Sequence, residues 1–408
     1  MQKHLLSALC LWAAATAGTA HTRTFTIDVQ NPSAHERKSQ PVVLPLAACA
    51  DFVVTRATVR GEAGEIASQI DDLDGDLRPD ELAFVTDLPA GGIRSFAITL
   101  SDEGTQTAYE RQTRAYIKLN DIKEKHPQVQ SVRYPGDADL LDMYNSLYGH
   151  GAVFENGYMA YRIYMDHRQS IDLYGKTTPR LEMDTTGFYT TERQLSQGYG
   201  CDILWAGQSV GAGSFRGWRD GAPCYIDSVA WRQQSIVADG PVRTIVEVTD
   251  KHWTCNGQVQ DMTQRYTLYA GRRDLSVDIR IDGNPGEAVY CTGILKLEEQ
   301  PEGFFRTEDG LSGSWGFNVP EKSAPDHREG VGLGLYVETP FRKTMMEDSL
   351  NYLTLLRTDD TGHLRYTIAA CAERENGGFK TAAQWFDYLE QWREELSRPV
   401  ILSTIHAL

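Results

Sequence analysis

Residues 262–282 read MTQRYTLYAGRRDLSVDIRID, and their pattern decides the fold class. In the second half Leu275, Val277, Ile279 and Ile281 face one way, while Ser276, Asp278, Arg280 and Asp282 face the other. Alternation with period two marks a half-buried strand, because successive side chains leave opposite sides of a pleated backbone. Met262–Ala270 alternates too, with Tyr266, Leu268 and Ala270 on one face. Ala270-Gly271-Arg272-Arg273-Asp274 reads as a turn, so the two runs are predicted to form an antiparallel hairpin. The β-branched run Val242–Thr249 is predicted to pair nearby. Antiparallel strands with one wet face fit a sandwich.

Working outward, Phe25–Val29, Phe52–Val59 and Ile93–Leu100 are short strand candidates separated by Pro, Gly and Asp clusters. They predict a smaller N-terminal β unit over residues 21–110, with a weak boundary near Asp102–Gln106 and a large β-sandwich domain over 111–408. Thr113–Pro135 is polar and charged and reads as a linker or an embellishment. One helix is predicted near the C-terminus. Thr381 caps it, Trp385, Tyr388, Leu389, Trp392 and Leu396 recur at helical spacing, and Pro399 follows. The expected fold is all-β: a large antiparallel β-sandwich with a smaller N-terminal β unit and a C-terminal helix.

Residues 1–20 have the pattern of a secretory signal peptide: Lys3 and His4, an apolar run Leu5–Ala15, then Gly18-Thr19-Ala20 as small residues for cleavage. Cys10 lies inside the apolar run without the context of a lipidated cysteine, so cleavage rather than a lipid anchor is expected. No later stretch approaches the ~18 uninterrupted apolar residues of a membrane helix. A periplasmic or secreted protein follows. The formal net charge is −16, and removing Lys3 makes it −17. Such a surface repels nucleic acid and anionic lipid, and an anionic substrate would need a local Arg or Lys cluster. Cys49, Cys201, Cys224, Cys255, Cys291 and Cys371 remain after cleavage, enough for disulfides in an oxidising compartment or for buried free thiols. No C-x-x-C occurs, which argues against a zinc site.

The stretch richest in chemistry is Tyr144–Lys176, YNSLYGHGAVFENGYMAYRIYMDHRQSIDLYGK. With Tyr158–Asp166 as a strand, Met159, Tyr161, Ile163 and Met165 suit a core, and Tyr158, Arg162, Tyr164 and Asp166 share the other face. After His167-Arg168-Gln169 a second strand points Ile171 and Leu173 inward and Ser170, Asp172 and Tyr174 outward. A hairpin then gathers Arg162, Tyr164, Asp166, Asp172 and Tyr174, with Lys176 at its end. Tyrosine offers sugars an apolar face and a hydroxyl, and arginine grips a carboxylate bidentately. The competing reading is a sheet face covered by a loop, its charges satisfied by one another. Upstream, glycines flank His150 in Tyr148-Gly149-His150-Gly151 and leave its ring accessible as a proton carrier. Glu155 could orient that ring or act as a general acid. His167, at the hairpin turn, is a weaker candidate.

Gly198–Gly221 is glycine-rich but lacks the lysine and the strand–helix setting of a phosphate loop, and reads as turns presenting Trp205, Phe215 and Trp218. In Asp71–Glu81, DDLDGDLRPDE, the carboxylates Asp72, Asp74, Asp76 and Asp80 suit a structural Ca2+, with a plain Asp-Gly turn as rival. The twelfth position from Asp72 is Ala83, so the full calcium loop is not matched. No cofactor is otherwise required. Neither a Gly-x-Ser-x-Gly elbow nor a His-Glu-x-x-His helix is present, which disfavours serine hydrolases and zinc proteases.

FENGYMAYRIYMDHRQSIDLYGK (154–176), GYGCDILWAG (198–207) and DDLDGDLRPDEL (71–82) together resemble a family of exported proteins of unassigned function from polysaccharide-degrading bacteria. One branch of that family includes an ulvan-oligosaccharide dehydratase. The resemblance implies a mutarotase-like supersandwich and an oligosaccharide substrate. In such an elimination a cation, Arg162 with Lys176, would neutralise a uronate carboxylate. His150, Tyr148 or Tyr164 would take the C5 proton. The rival readings are a non-catalytic carbohydrate-binding protein and a glycoside hydrolase using Glu155 with Asp166 or Asp172.

Overall fold

The computed structural model describes residues 20–120, 128–136, 145–255, 257–283, 288–299, 303–321, 326–403 and 406–407. The signal segment, apart from Ala20, lies outside them. Among the described residues no helix is long and apolar enough to cross a membrane. The fold is all-β, as the alternation predicts. Its centre is a nine-stranded antiparallel sheet in the order 131–135, 231–239, 243–255, 258–269, 274–282, 363–372, 329–336, 311–318 and 304–306. Gln258–Tyr269 and Asp274–Asp282 pair with Leu268 opposite Leu275, which is the predicted hairpin, and Arg243–Cys255 pairs on its far side.

A six-stranded sheet packs over it in the order 201–202, 171–175, 159–164, 147–156, 113–119 and 128–129. Met159, Tyr161, Ile163, Ile171 and Leu173 from this sheet interleave with Val246, Tyr266, Val277 and Ile279 from the larger one in a single apolar cluster. Burying that surface is the main favourable term holding the two sheets together. A five-stranded sheet, 222–224, 216–219, 290–295, 351–356 and 342–347, adds to the same core.

Thr22–Gln30, Arg56–Gly61 and Ile93–Ser101 form the N-terminal sheet, which packs on the three-stranded sheet 37–45, 81–88 and 68–71 through its own core. The second of these strands starts at Arg56, later than the sequence suggests. Ile401–Leu402 pairs with Val29-Gln30 and His406–Ala407 with Phe25-Thr26, so this unit borrows two short strands from the far end of the chain. Thr113–Pro135 is not a bare linker: Thr113–Leu119 and Ser131–Pro135 are strands of the two large sheets. The chain there alternates too briefly for its polar composition to be read as β.

The predicted helix is Ala382–Ser397, capped by the Thr381 hydroxyl on the N–H of Gln384. Trp385, Leu389 and Trp392 lie on the Leu311–Asn318 and Glu329–Tyr336 strands. Glycines on those strands allow the close approach: a Cβ on Gly334 would stand 2.5 Å from Leu389 Cδ2.

Candidate active site

The face of the six-stranded sheet turned away from the core carries a cavity of about 430 Å³. Its floor comes from three adjacent strands. Arg162 and Tyr164 project from Met159–Tyr164, Asp172 from Ile171–Gly175, and His150 from Leu147–Asn156. A bulge aims the histidine. Register against Thr113–Leu119 breaks between Tyr148 and Val153, with Gly149 at φ 73° and His150 at φ 64°. A histidine in left-handed backbone is uncommon and marks a position the surroundings enforce. Gly151 must stay bare, since a Cβ there would stand 1.9 Å from the Ile163 carbonyl. The His150 ring stacks on Tyr164, centroids 6.1 Å apart and planes 10° off parallel.

Arg162 is the electrostatic centre. Its Nη2 donates to Asp172 and, at 2.8 Å, to the Tyr164 hydroxyl, and Nη1 donates to Tyr189 Oη at 3.1 Å. Asp202 Oδ2 lies 3.5 Å from Nη2. The guanidinium stacks over Phe188 at 4.2 Å. With 3% of its side chain exposed, it is held by the protein rather than offered to solvent. Among the described residues its Nε has no hydrogen-bond partner.

The hairpin face is therefore split. Residues 182–196, with short helices Met183–Thr186 and Glu192–Ser196, cover one half of it. Beneath the cover Tyr174, Met183 and Phe188 pack with Tyr116, Val153 and Ala160. Tyr174 hydroxyl donates to Glu182 at 2.9 Å. Lys176 and Glu155 form a buried ion pair in which Lys176 also donates to the carbonyls of Asn156 and Arg180, and Glu155 accepts from the N–H groups of Glu182 and Met183. These three residues are foundation, not cavity lining, so Lys176 does not join Arg162 and Glu155 does not orient His150. Tyr158 lies under Arg273, 4.3 Å from its guanidinium. His167 packs edge-on against Tyr225, outside the cavity, and burial pushes its pKa down. Asp166 is held by Arg168. Tyr148 contacts Tyr189 edge-on, with centroids 5.7 Å apart, and lies behind the cavity wall. The carboxylate pairs of Glu155 with Asp166 or Asp172 therefore do not face a common substrate position.

Of the expected calcium ligands, Asp72, Asp74 and Asp80 bring one carboxylate oxygen each within 4.8 Å of one another. Asp76 does not join them and accepts instead from the N–H of Arg78. Asp72 accepts from Gly75 and Leu77, as the rival turn reading expects.

Residues 29–401 match a single family model, described as a domain of unknown function. The chain belongs to the DUF4861 family. It is similar to the uncharacterized protein P7 of Formosa agariphila, 23% identical over 221 residues, covering 53% of this chain and 52% of that protein. It is also similar in structure to an alpha-mannosidase from Enterococcus faecalis V583, at 10% identity and a TM-score of 0.47, covering 94% of this chain and 46% of that one. A glycosyl hydrolase family 38 protein from Enterococcus faecalis matches with the same identity and TM-score over 47% of its length. The chain thus spans about half the length of each of these three proteins.

In this DUF4861 chain the cavity also draws on residues that the hairpin pattern alone does not reveal: Arg168, Tyr189, Asp202, Trp205, Glu321 and His327. Arg168 belongs to the turn His167-Arg168-Gln169, and its side chain is 34% exposed, the more accessible of the two cavity guanidiniums. Trp205 is 48% exposed and lines the cavity, whereas Phe215 is core. Burial, and then the Asp172 charge, push the Asp202 carboxyl well above the usual carboxylate range.

Proposed function

We propose that the protein is a carbohydrate-active enzyme that acts by elimination on oligosaccharides containing a uronic acid. The observation that carries this reading is the Tyr164 hydroxyl, 2.8 Å from the Arg162 guanidinium and stacked on His150 in a cavity open to solvent. The Tyr164 hydroxyl accepts from Arg162 and itself donates to Asp172 at 3.1 Å, so Asp172 is placed to receive its proton while the cation steadies the oxygen that is left. As its own proton passes to Asp172, the Tyr164 oxygen takes the C5 proton. The electrons form the C4–C5 double bond, the C4–O bond breaks, and His150 as imidazolium protonates the departing oxygen. Arg168, which already holds Asp166 through Nε and Nη2, also faces the cavity and meets the uronate carboxylate, whose enolate-like charge must be neutralised as the proton leaves. Trp205 and Tyr189 offer rings to the sugar. Arg162 acts through Tyr164 and is a positioning residue. The same parts serve a dehydratase, which releases water, or a lyase, which releases a sugar hydroxyl. Together with the signal-like leader, this reading places the substrate outside the cytoplasm.

The test is incubation with a panel of pectic and ulvan oligosaccharides, following short-ultraviolet absorbance and product mass. A conjugated double bond with loss of one water means dehydration, and with chain shortening means lyase action. Chain shortening by addition of water without absorbance means hydrolysis and overturns the proposal, as does sugar binding without any product.

A further inference from the structure

Cys201, His327 and Glu329 meet at one wall of the cavity, although the first two lie 126 positions apart in sequence. Cys201 lies on the edge strand Cys201–Asp202 of the six-stranded sheet, and Glu329 opens Glu329–Tyr336 in the nine-stranded sheet. Glu329 Oε1 is 2.7 Å from His327 Nε2 and 3.4 Å from Cys201 Sγ. One donor atom from each residue lies within 4.8 Å of the others. Around a tetrahedral ion with bonds of about 2.0–2.3 Å, ligand atoms stand about 3.4–3.7 Å apart, so an ion fits with shifts on the order of 1 Å.

We propose that these three side chains bind a divalent transition metal of the zinc class, with the fourth coordination position open to the cavity. The donor set is sulfur, nitrogen and oxygen, and a thiolate selects such ions over Mg2+ and Ca2+. Three protein ligands with one vacant position is the arrangement of reactive rather than purely structural zinc. Cys201 and His327 both line the cavity, so that vacancy faces the substrate space. Arg374 grips Glu329 through Nε at 3.0 Å and Nη2 at 2.7 Å and fixes the carboxylate's orientation. Its positive charge opposes a cation, but thiolate and carboxylate together outweigh it. Binding releases the Cys201 thiol proton to solvent and replaces the hydrogen bonds from Cys201 and His327 to Glu329. The open position takes water or, on the elimination reading, a uronate carboxylate oxygen.

The full chain, stripped with chelator, is titrated with Co2+ alone. The expected result is about one equivalent bound, with a near-ultraviolet thiolate-to-cobalt band and the visible bands of a tetrahedral site, both lost on adding Zn2+. Cys201→Ser abolishes the near-ultraviolet band, and His327→Ala weakens binding at least about tenfold. Binding by the wild type is read without any variant, so a variant that fails to fold does not decide the result. No cobalt bound, or a thiolate band that persists in a folded Cys201→Ser, overturns the proposal and leaves a hydrogen-bonded trio. The titration uses no substrate. A protein that binds cobalt yet yields no unsaturated product sinks the elimination reading alone.

Discussion

Lys176→Met separates foundation from site most sharply. Lys176 Nζ uses its three protons on Glu155 and on the carbonyls of Asn156 and Arg180, all under residues 182–196. Methionine keeps the stem and removes the charge. Glu155 is left buried as an uncompensated anion, although it retains the N–H groups of Glu182 and Met183. Breaking a buried pair by removing one partner costs ~3–5 kcal/mol. The surviving backbone donors put this case near the lower figure, and the orphaned carbonyls add about 1 kcal/mol. Urea unfolding followed by tryptophan fluorescence reads the loss. Adding Glu155→Gln removes the stranded charge, so the double variant is expected to recover about 1–3 kcal/mol relative to the sum of the single changes. A Lys176→Met protein within ~0.5 kcal/mol of wild type, or one equally stable but inactive, would refute the assignment of this pair to the foundation.

Gly151→Ala forces a methyl into the Ile163 carbonyl, and is expected to cost about 1–3 kcal/mol by urea unfolding and to lower activity with it, because the bulge that aims His150 must shift. A fully stable and active Gly151→Ala contradicts that geometry. His363 gains stability chiefly from its bond to Asp278, against burial, with Asp359 adding and Arg365 opposing, so its folded pKa is raised. A raised pKa stabilises below the unfolded value of about 6.5 and loses that contribution as pH rises through the folded value. His363→Ala should therefore lower the melting temperature at about pH 5.5 and leave it nearly unchanged at about pH 9; equal loss at both pH values would count against the ion pair. In the reduced protein the Cys255 thiol, hydrogen-bonded to Cys224, pulls the Cys224 thiol down to about 7 despite partial burial. Cys224 is expected to be alkylated first, with a rate rising through neutral pH; peptide mapping that finds buried Cys371 labelled as fast would refute this.

Period two was enough to read the core. Leu275 through Ile281 and Met159 through Ile163 alternate cleanly because one face of each strand is apolar, and the structure buries those faces. The same alternation put Arg162, Tyr164 and Asp172 on one side of the sheet. It could not tell open from covered, because the cover, LEMDTTGFYTTERQLS over residues 181–196, has little periodicity of its own. Tyr174, Lys176 and Glu155 therefore read as exposed chemistry, yet they are buried beneath it. Arg168 sits in a turn, where charge usually means only solvent. Cys201, His327 and Glu329 carry no spacing signal at all, since the packing of two sheets brings them together.

The central claim is the Tyr164–His150 elimination site. The most direct measurement compares wild type with Tyr164→Phe on a uronate oligosaccharide, recording the rate of conjugated double-bond formation together with substrate affinity. The account predicts an unsaturated product from wild type and a loss of about 10²–10⁴-fold in rate with affinity retained in Tyr164→Phe. No unsaturated product from wild type on any uronate oligosaccharide, or a Tyr164→Phe enzyme as fast as wild type, would contradict it.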